Sequence, residues 1–289
     1  MNTPVSSTTS VRSTWQTSNF SRRVASVRED RIARISWEGT VWYAAPDETD
    51  LVLLSGSPLD GFTKTNKRVA AAKVRFLPPV PATKLVGIGA NFPGEEPLGP
   101  DPYPSFFIKP PSSFTGHLTT IELPPVFRSV VAEGELGVVV RRRCRNLTKD
   151  EAPGVILGWT VVNDLSGRDS TLRVVPPAVK KSADGFAPMG PYLNLDSTIR
   201  PFTLLTRRNG EVVQQGTTAA MRFGVVECLV YVSSIMTLEP YDVVALGTPP
   251  PKPAVVPGDE VAVEIEGIGR LVNRIAACGA CGHATAETV

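Results

Sequence analysis

Short apolar runs, each bounded by Gly, Pro or Asp, follow one another along most of the chain. Runs of this length that are rich in Val and Ile are typical of β-strands. Residues 202–218 form a predicted hairpin, because Asn209-Gly210 at its centre is the strongest short-range hairpin signal. The other runs that we predict as strands or hairpins lie within residues 31–56, 84–91, 105–111, 134–142, 156–166, 242–247 and 259–275.

Helical spacing of apolar residues marks two segments. Residues 223–236 are long enough for a helix. The residues predicted on one face of it are Val226, Leu229, Val230 and Ser233. Residues 69–74 also have helical spacing, and the prolines of residues 76–81 end it because proline cannot continue a helix. The sequence therefore predicts a β-rich α+β fold with few helices, and it contains neither a Rossmann fingerprint nor a P-loop.

We expect four parts along the chain. Residues 1–23 are rich in Ser and Thr and are predicted to form a disordered tail, since no amphipathic periodicity supports the alternative of a transit peptide. Residues 24–80 are predicted to form a small β-rich domain, with a boundary at the prolines near residue 81. A larger domain is expected over residues 81–276, followed by a flexible tail over residues 277–289.

Composition and charge narrow the function classes. The 289 residues carry a formal net charge of +2, which gives no electrostatic case for a nucleic-acid or membrane-surface partner. No apolar run approaches the ~18–20 residues that span a bilayer. The 4 cysteines, without a secretory signal, do not make a disulfide framework. We therefore expect a reduced, cytoplasmic protein.

A pair of glutamates carries the first sign of chemistry. Glu133 and Glu135 lie at the start of a predicted strand, and the period of 2 places both carboxylates on one face. Carboxylates so close repel each other unless a cation or a proton lies between them. Asp164, at the end of another apolar run, offers a third carboxylate. Oxygen ligands of this kind suit a hard cation such as Mg²⁺ and leave positions open for a substrate.

The same spacing also occurs at Glu264 and Glu266, in a regularly alternating stretch that predicts a solvated strand face. Either pair alone is more often a surface feature than a metal site. The context separates them, because Glu133 precedes an apolar run with no other charged residue from Leu136 to Val140. We therefore favour Glu133 and Glu135 as the ligands.

An ordered series of motifs resembles the fumarylacetoacetate hydrolase family over roughly residues 82–275. The motifs are KLVGIGANF, PSFFIKPPSS, EGELGVVV, GWTVVNDLSGRD, KKSADGFAPMGPYL, TLEPYDVVALGTP and PGDEVAVEIEGIGRLVN. Each is weak singly, but seven in the right order make chance improbable. The resemblance implies a mixed β-roll of several curved sheets, with a small N-terminal domain and a family-type domain at residues 81–276. It also implies a homodimer.

The resemblance assigns roles to particular residues. Glu133, Glu135 and Asp164 would bind Mg²⁺ or Mn²⁺, and Lys181 would lie beside the substrate oxygens as a catalytic residue. The alternative for Lys181, next to Lys180, is a solvated loop lysine. Arg168 and Asp169 are interpreted as a structural ion pair in preference to a substrate contact, although Arg168 is kept as a substrate-binding candidate. The residues expected to bind substrate are Asn91, Lys109, Arg168 and Thr248.

The implied reaction involves a small-molecule 2-oxo acid or β-dicarbonyl compound. The metal would act as a Lewis acid and stabilise an enolate. Cleavage of a C–C bond, by hydrolysis or decarboxylation, is the first expectation, with isomerisation close behind. A non-catalytic binding or scaffold protein of the same fold is the alternative from another class, and it has no need to keep the three carboxylates and Lys181 together.

Three departures from the family pattern concern the substrate side. Hydrolytic members carry a lid histidine and a glutamate that activate water, whereas Glu95 occupies the histidine position here. Glu95 or Glu96 could act as a base if the lid desolvates it. Tyr241 replaces a turn glycine, which is expected to alter the backbone because freedom at positive φ is lost. The proline-rich segment 250–257 replaces a glycine-rich one and is expected to reshape the pocket wall.

Three other features receive ordinary interpretations. Cys278, Cys281 and His283 have the spacing of half a zinc site, but structural zinc needs four ligands, so we favour a tail without metal. The basic run of residues 141–145 lacks interleaved aromatic residues and is interpreted as a solvated strand end. His117 is interpreted as a loop residue.

Overall fold

The structure, a computed structural model, describes residues 30–94, 103–168 and 176–279. Within these ranges, no helix combines the length and the apolar character needed to cross a membrane. The first strands are β1 (Arg31–Trp37), β2 (Thr40–Asp47), β3 (Asp50–Ser57), β4 (Gly61–Ala70) and β5 (Arg75–Phe76). The strands of the middle part are β6 (Leu85–Gly89), β7 (Ser105–Lys109), β8 (Phe114–Thr115), β9 (Thr120–Leu123), β10 (Ser129–Val131), β11 (Gly134–Val140), β12 (Ile156–Asn163) and β13 (Ser166–Arg168).

The chain after residue 176 contains the remaining strands and both α-helices of the described residues. These strands are β14 (Ala187–Pro188), β15 (Tyr192–Asn194), β16 (Thr203–Arg208), β17 (Glu211–Thr217), β18 (Val243–Ala245), β19 (Ala254–Val255), β20 (Glu260–Ile265) and β21 (Gly269–Ala277). The α-helices are α1 (Pro177–Lys181) and α2 (Val225–Ile235). Short 3₁₀ turns lie at Ala71–Lys73, Pro111–Ser113, Ala152–Val155 and Thr218–Ala220. The prediction of a β-rich fold with few helices is confirmed.

The described strands form several sheets, and the largest runs through the whole molecule. Its order is β4-β3-β2-β1-β15-β12-β11-β18-β6-β7, with β5 paired to β1. The N-terminal strands therefore join the rest of the protein through the antiparallel pair of β1 and β15. A second sheet has the order β17-β16-β20-β21-β9, and two smaller sheets have the orders β13-β10-β19 and β14-β8.

The centre of the core lies on β11 and β12, which pair antiparallel and are buried along their full length. Such continuous burial explains why both strands have near-continuous apolar sequences rather than alternating ones. Helix α2 packs onto this core through a buried face made of Val225, Cys228, Leu229, Val232 and Ser233. The helix was predicted correctly, but Val226 and Val230 are only half-buried, so the buried face begins one residue earlier than predicted.

The hairpin prediction at residues 202–218 is confirmed. Asn209 and Gly210 connect β16 to β17 with φ values of 52° and 86°, the left-handed conformations that a type I′ turn requires. The predicted helix over residues 69–74 is wrong. Val69 instead pairs with Leu51 in β4, and a single 3₁₀ turn at Ala71–Lys73 follows. The hydrogen bonds to β3 outweigh the weak local helical spacing.

The expectation for Tyr241 is also wrong in its structural consequence. Tyr241 has a φ of 72°, so the backbone keeps the left-handed conformation even though a tyrosine occupies it. The next residue, Asp242, is fully buried, and its hydrogen bonds hold this turn in place. Its carboxylate accepts hydrogen bonds from the backbone N–H groups of Thr83 and Glu239 and forms an ion pair with Lys84.

His117 lies in the turn between β8 and β9, as interpreted, and two contacts hold it in place. Its Nδ1 accepts a hydrogen bond of 3.0 Å from the backbone N–H of Val272, and its ring packs edge-on against Phe76. Burial, with a smaller contribution from the positive charge of Arg270, lowers the pKa of His117 to about 4. The folded protein therefore favours the neutral imidazole.

This low pKa predicts a pH-dependent stability. The unfolded chain protonates His117 near its ordinary pKa of about 6.5, whereas the folded chain does so only near pH 4. The contribution of neutral His117 to the free energy of unfolding is therefore complete above about pH 7 and is lost as the pH falls toward 4. Between about pH 7 and pH 5, the free energy of unfolding should fall by up to about 2 kcal/mol more in the unmodified protein than in His117→Gln. Urea denaturation at both pH values measures this, and parallel slopes for the two proteins would refute it.

Candidate metal centre

The three predicted carboxylate ligands meet at one end of the central strand pair. Glu133 directly precedes β11, Glu135 lies within it, and Asp164 directly follows β12. The register pairs Glu135 with Val162, so the start of one strand lies beside the end of the other. The backbone N–H of Asp164 donates to the carbonyl of Glu133 over 2.8 Å and fixes this arrangement. One oxygen of each carboxylate lies within 4.8 Å of the others, and all three side chains are buried.

Glycine between the two glutamates lets this strand pack closely on its other face. A Cβ atom at Gly134 would lie 2.5 Å from Oγ1 of Thr206 and 2.9 Å from a methyl carbon of Val263. No real Cβ tolerates such distances, so only glycine brings the two glutamates this close to the second sheet. The alternation predicted from the sequence, with carboxylates on one face and glycine on the other, matches this packing.

Lys181 enters the carboxylate cluster from the end of α1. Its ammonium group hydrogen-bonds to Oδ2 of Asp164 and lies 3.2 Å from Oε2 of Glu133. It also lies 4.6 Å from the centre of the Phe107 ring, a cation–π contact. Lys181 is only 4% exposed, so the structure places it in the cluster rather than on a solvated loop.

Further hydrogen bonds orient the glutamates. Ser166 donates from Oγ to Oε1 of Glu133 over 2.5 Å, and the backbone N–H of Gly247 donates to Oε2 of Glu135 over 2.8 Å. Lys252 lies 3.3 Å from Oε2 of Glu133 through its Nζ. The two glutamates are therefore held by Ser166, Lys181 and the segment that carries Gly247 and Lys252.

Two residues expected at the substrate lie behind the site instead. Lys109 is fully buried, and its Nζ donates to the carbonyls of Leu165 and Phe186 while lying 2.7 Å from Oδ1 of Asp164. The amide of Asn91 is equally enclosed, since Nδ2 donates to the carbonyl of Leu246 over 2.8 Å. Neither side chain lines the cavity described below.

The buried charges shift one another's pKa values. Burial by itself would raise the pKa of Glu133, but the ammonium groups of Lys181 and Lys252 lower it to about 2. Burial raises the pKa of Glu135 well above its ordinary value, and repulsion from Asp164 adds to this. Burial lowers the pKa of Lys109 to about 8. The pKa of Lys181 is raised, because Asp164 and Glu133 outweigh its burial.

The cluster fits a divalent cation. Within the described part of the chain, Oδ1 of Asp164 is paired with Nζ of Lys109 at 2.7 Å, whereas Glu135 forms no ion pair and accepts a hydrogen bond only from the backbone N–H of Gly247. Buried carboxylate oxygens left in this way are costly unless a cation or a proton satisfies them. An all-oxygen set of three carboxylates suits a hard cation such as Mg²⁺ or Mn²⁺. Glu133, Glu135 and Asp164 would hold it.

A cavity of about 540 Å³ opens beside these carboxylates. Glu133, Glu135 and Thr248 contribute to its wall, as expected from the sequence. Positively charged side chains are also grouped there. They are Arg168, Lys180, Lys181 and Lys252. The cavity therefore favours an anionic ligand.

Three expected residues lie outside the described residues: the candidate bases Glu95 and Glu96, and Asp169, the expected partner of Arg168. The same holds for Cys281 and His283 of the half zinc motif, whereas Cys278 is described. The basic run behaves as interpreted, since Arg141, Arg142 and Arg143 are exposed beside the buried Cys144.

Gln214 is a site residue that the sequence reasoning missed. It is buried on β17, and its amide nitrogen donates to Oγ1 of Thr248 over 2.9 Å and to the carbonyls of Pro249 and Pro251. Thr206 in turn donates to its Oε1 over 2.5 Å. Gln214 thus fixes the wall segment that carries Thr248. In the sequence, only its position in a hairpin between hydrophobic strands hinted at burial, and no motif marked it.

Two protein families match separate parts of the chain. Residues 84–276 match the protein family described as "Fumarylacetoacetate (FAA) hydrolase C-terminal", and residues 30–79 match the one described as "Rv2993c-like, N-terminal". An uncharacterized protein of Archaeoglobus fulgidus is 40% identical over 208 residues, which cover 71% of this chain and 83% of that protein.

Two relatives have names that state a reaction. The 4-hydroxyphenylacetate degradation bifunctional isomerase/decarboxylase of Escherichia coli is 38% identical over 244 residues. The match covers 80% of this chain and 56% of the E. coli protein, so the chain spans about half the length of that enzyme. The crystal structure of 5-carboxymethyl-2-hydroxymuconate delta-isomerase from Mycobacterium smegmatis has a TM-score of 0.78 at 30% identity, covering 86% of this chain and 99% of that one.

The role of Gln214 predicts a specific loss of stability. Gln214→Leu keeps most of the volume but leaves Oγ1 of Thr248 and the carbonyls of Pro249 and Pro251 without their donor. We expect the free energy of unfolding to fall by about 1–3 kcal/mol. The neighbouring Gln215 is exposed and provides the matched control, because Gln215→Leu should change stability by less than about 0.5 kcal/mol. Urea denaturation of both variants measures the difference, and equal stabilities would show that Gln214 does not anchor the wall.

Proposed function

The chain belongs to the fumarylacetoacetate hydrolase family, and from this premise we propose that it is a divalent-metal-dependent enzyme acting on a 2-oxo acid or β-dicarbonyl compound. The observation that carries the proposal is the buried cluster of Glu133, Glu135 and Asp164 with Lys181, open to a cavity with several cationic side chains. A cation held there would supply Lewis-acid stabilisation of the negative charge that develops when an enolate forms.

The side chains of the cavity have complementary tasks in this proposal. Lys181, as an ammonium, donates hydrogen bonds at the point where charge develops on the substrate and can return a proton to carbon. Thr248, held by Gln214, orients the carboxylate or keto oxygen. Arg168 and Lys180 attract the anionic substrate from the outer wall. Ser166 and Gly247 keep the glutamates in place during the reaction.

Decarboxylation is the cleavage reaction that we favour. The E. coli relative is named a bifunctional isomerase/decarboxylase, and decarboxylation needs no activated water. This agrees with Glu95 in place of the histidine found in hydrolytic members. Loss of CO₂ leaves the electron pair of the broken C–C bond in an enolate, which then takes up a proton at carbon.

Isomerisation is the second candidate. The structural relative from M. smegmatis is named a delta-isomerase, and a double-bond shift passes through the same kind of enolate. The two reactions differ only in whether CO₂ or a proton leaves the substrate. A non-catalytic binding protein is the less favoured alternative, since the full carboxylate set, the inserted lysine and the open cavity are all present.

Proton NMR in D₂O with Mg²⁺ tests the proposal. We expect metal-dependent exchange of the methyl protons of pyruvate and decarboxylation of oxaloacetate, whereas exchange without cleavage indicates the isomerase. Acetylpyruvate tests for hydrolysis, because its cleavage would indicate a hydrolase instead. Glu133→Gln and Asp164→Asn should each reduce turnover at least about 100-fold with the fold intact, because the metal loses a charged ligand.

Glu266→Gln is the matched control, because it changes the exposed glutamate of the second Glu-x-Glu pair. It should leave the rate within about twofold of the unmodified protein. An undiminished rate in either Glu133→Gln or Asp164→Asn would refute the metal assignment.

A further inference from the structure

Lys252 occupies the proline-rich segment that departs from the family pattern. It lies between Pro251 and Pro253, which restrict the backbone on both sides. The carbonyl of Pro251 accepts a hydrogen bond from Gln214, and the carbonyl of Pro253 accepts one from the backbone N–H of Ala132. The backbone at Lys252 is therefore fixed beside Glu133, within reach of its carboxylate.

Glu133 has both of its oxygens engaged. Oε1 accepts the hydrogen bond from Ser166, while Oε2 lies 3.2 Å from Nζ of Lys181 and 3.3 Å from Nζ of Lys252. Two ammonium groups thus share one oxygen of an expected metal ligand. A divalent cation bound by Glu133 would be repelled by both of them.

Lys252 can move away from Glu133 at a lower cost than Lys181 can. The side chain of Lys181 is 5% exposed and is also paired with Asp164, whereas the side chain of Lys252 is 26% exposed and lines the open cavity. Moving Lys181 would also leave the buried carboxylate of Asp164 without this ion pair, which is costly. Moving Lys252 into the cavity keeps its charge near water and near the anionic ligand that the cavity favours.

We propose that Lys252 competes with the divalent cation for Glu133 and thereby sets the metal affinity of the site. This inference rests on the proposed function, because it takes Glu133 to be a metal ligand. In the absence of metal, Lys252 neutralises Glu133. When metal binds, Lys252 leaves Glu133 and its charge becomes available to the substrate.

The test measures Mn²⁺ affinity by electron paramagnetic resonance and by calorimetry, with no substrate and no activity assay. Lys252→Gln removes the competing charge and should bind Mn²⁺ about tenfold more tightly than the unmodified protein. Lys252→Arg keeps the charge and should stay within about threefold. Lys252→Ala should tighten binding in the same direction as Lys252→Gln, which guards against an effect of the glutamine amide.

Lys180→Gln is the matched control, because Lys180 lines the same cavity but does not contact Glu133 in the described structure. It should change Mn²⁺ affinity by less than about threefold, since only long-range charge is lost. An equal tightening in Lys180→Gln would overturn the proposal, because general cavity charge would then explain the effect. Unchanged or weaker binding in Lys252→Gln would also overturn it.

These outcomes are separable from failure of the proposed function. If the unmodified protein and Lys252→Gln bind Mn²⁺ equally, the metal centre stands and only the role of Lys252 fails. If Mn²⁺ binds to Lys252→Gln alone, the competition is confirmed in its strongest form. If neither protein binds Mn²⁺, both the metal centre and the role of Lys252 are refuted.

Discussion

Charge balance among buried carboxylates and lysines is the constraint on which the rest of this structure depends. Glu133, Glu135 and Asp164 lie at one end of β11 and β12 and are almost completely excluded from water. Burying three negative charges together is unfavourable unless cations and hydrogen bonds compensate for the lost hydration. Lys109 and Lys181 provide compensation from opposite sides of Asp164. Glu135 lacks such a partner among the described residues, an imbalance that a proton or the proposed cation would relieve.

The surrounding fold can be understood as the means of bringing distant segments to this point. The central strand pair sets the spacing of the carboxylates, and Gly134 allows the second sheet to approach closely behind them. Helix α1 ends at Lys181, and β7 ends at Lys109. The large sheet thus carries the buried charges at its strand ends, while the proline-rich segment held by Gln214 forms part of the cavity wall. A single loop could not hold lysines and carboxylates from these distant segments in such fixed relative positions.

Much of this arrangement could be predicted from the sequence, because it is encoded locally. The period of 2 placed Glu133 and Glu135 on one strand face, and the end of an apolar run located Asp164. The Asn209-Gly210 turn determined its hairpin directly. The family resemblance, rather than any local pattern, identified Lys181. What local patterns could not show were contacts between distant segments, such as Lys109 with Phe186 or Gln214 with Thr248. The wrong helix at residues 69–74 and the unaltered turn at Tyr241 have the same cause, since tertiary contacts overrode local preference.

The central claim is that the three carboxylates hold one divalent cation. The most direct measurement is anomalous X-ray diffraction from crystals of the protein grown or soaked with Mn²⁺. The account predicts a single strong anomalous peak bounded by the carboxylates of Glu133, Glu135 and Asp164. Crystals that contain Mn²⁺ elsewhere, or that show no peak among these three side chains, would contradict it.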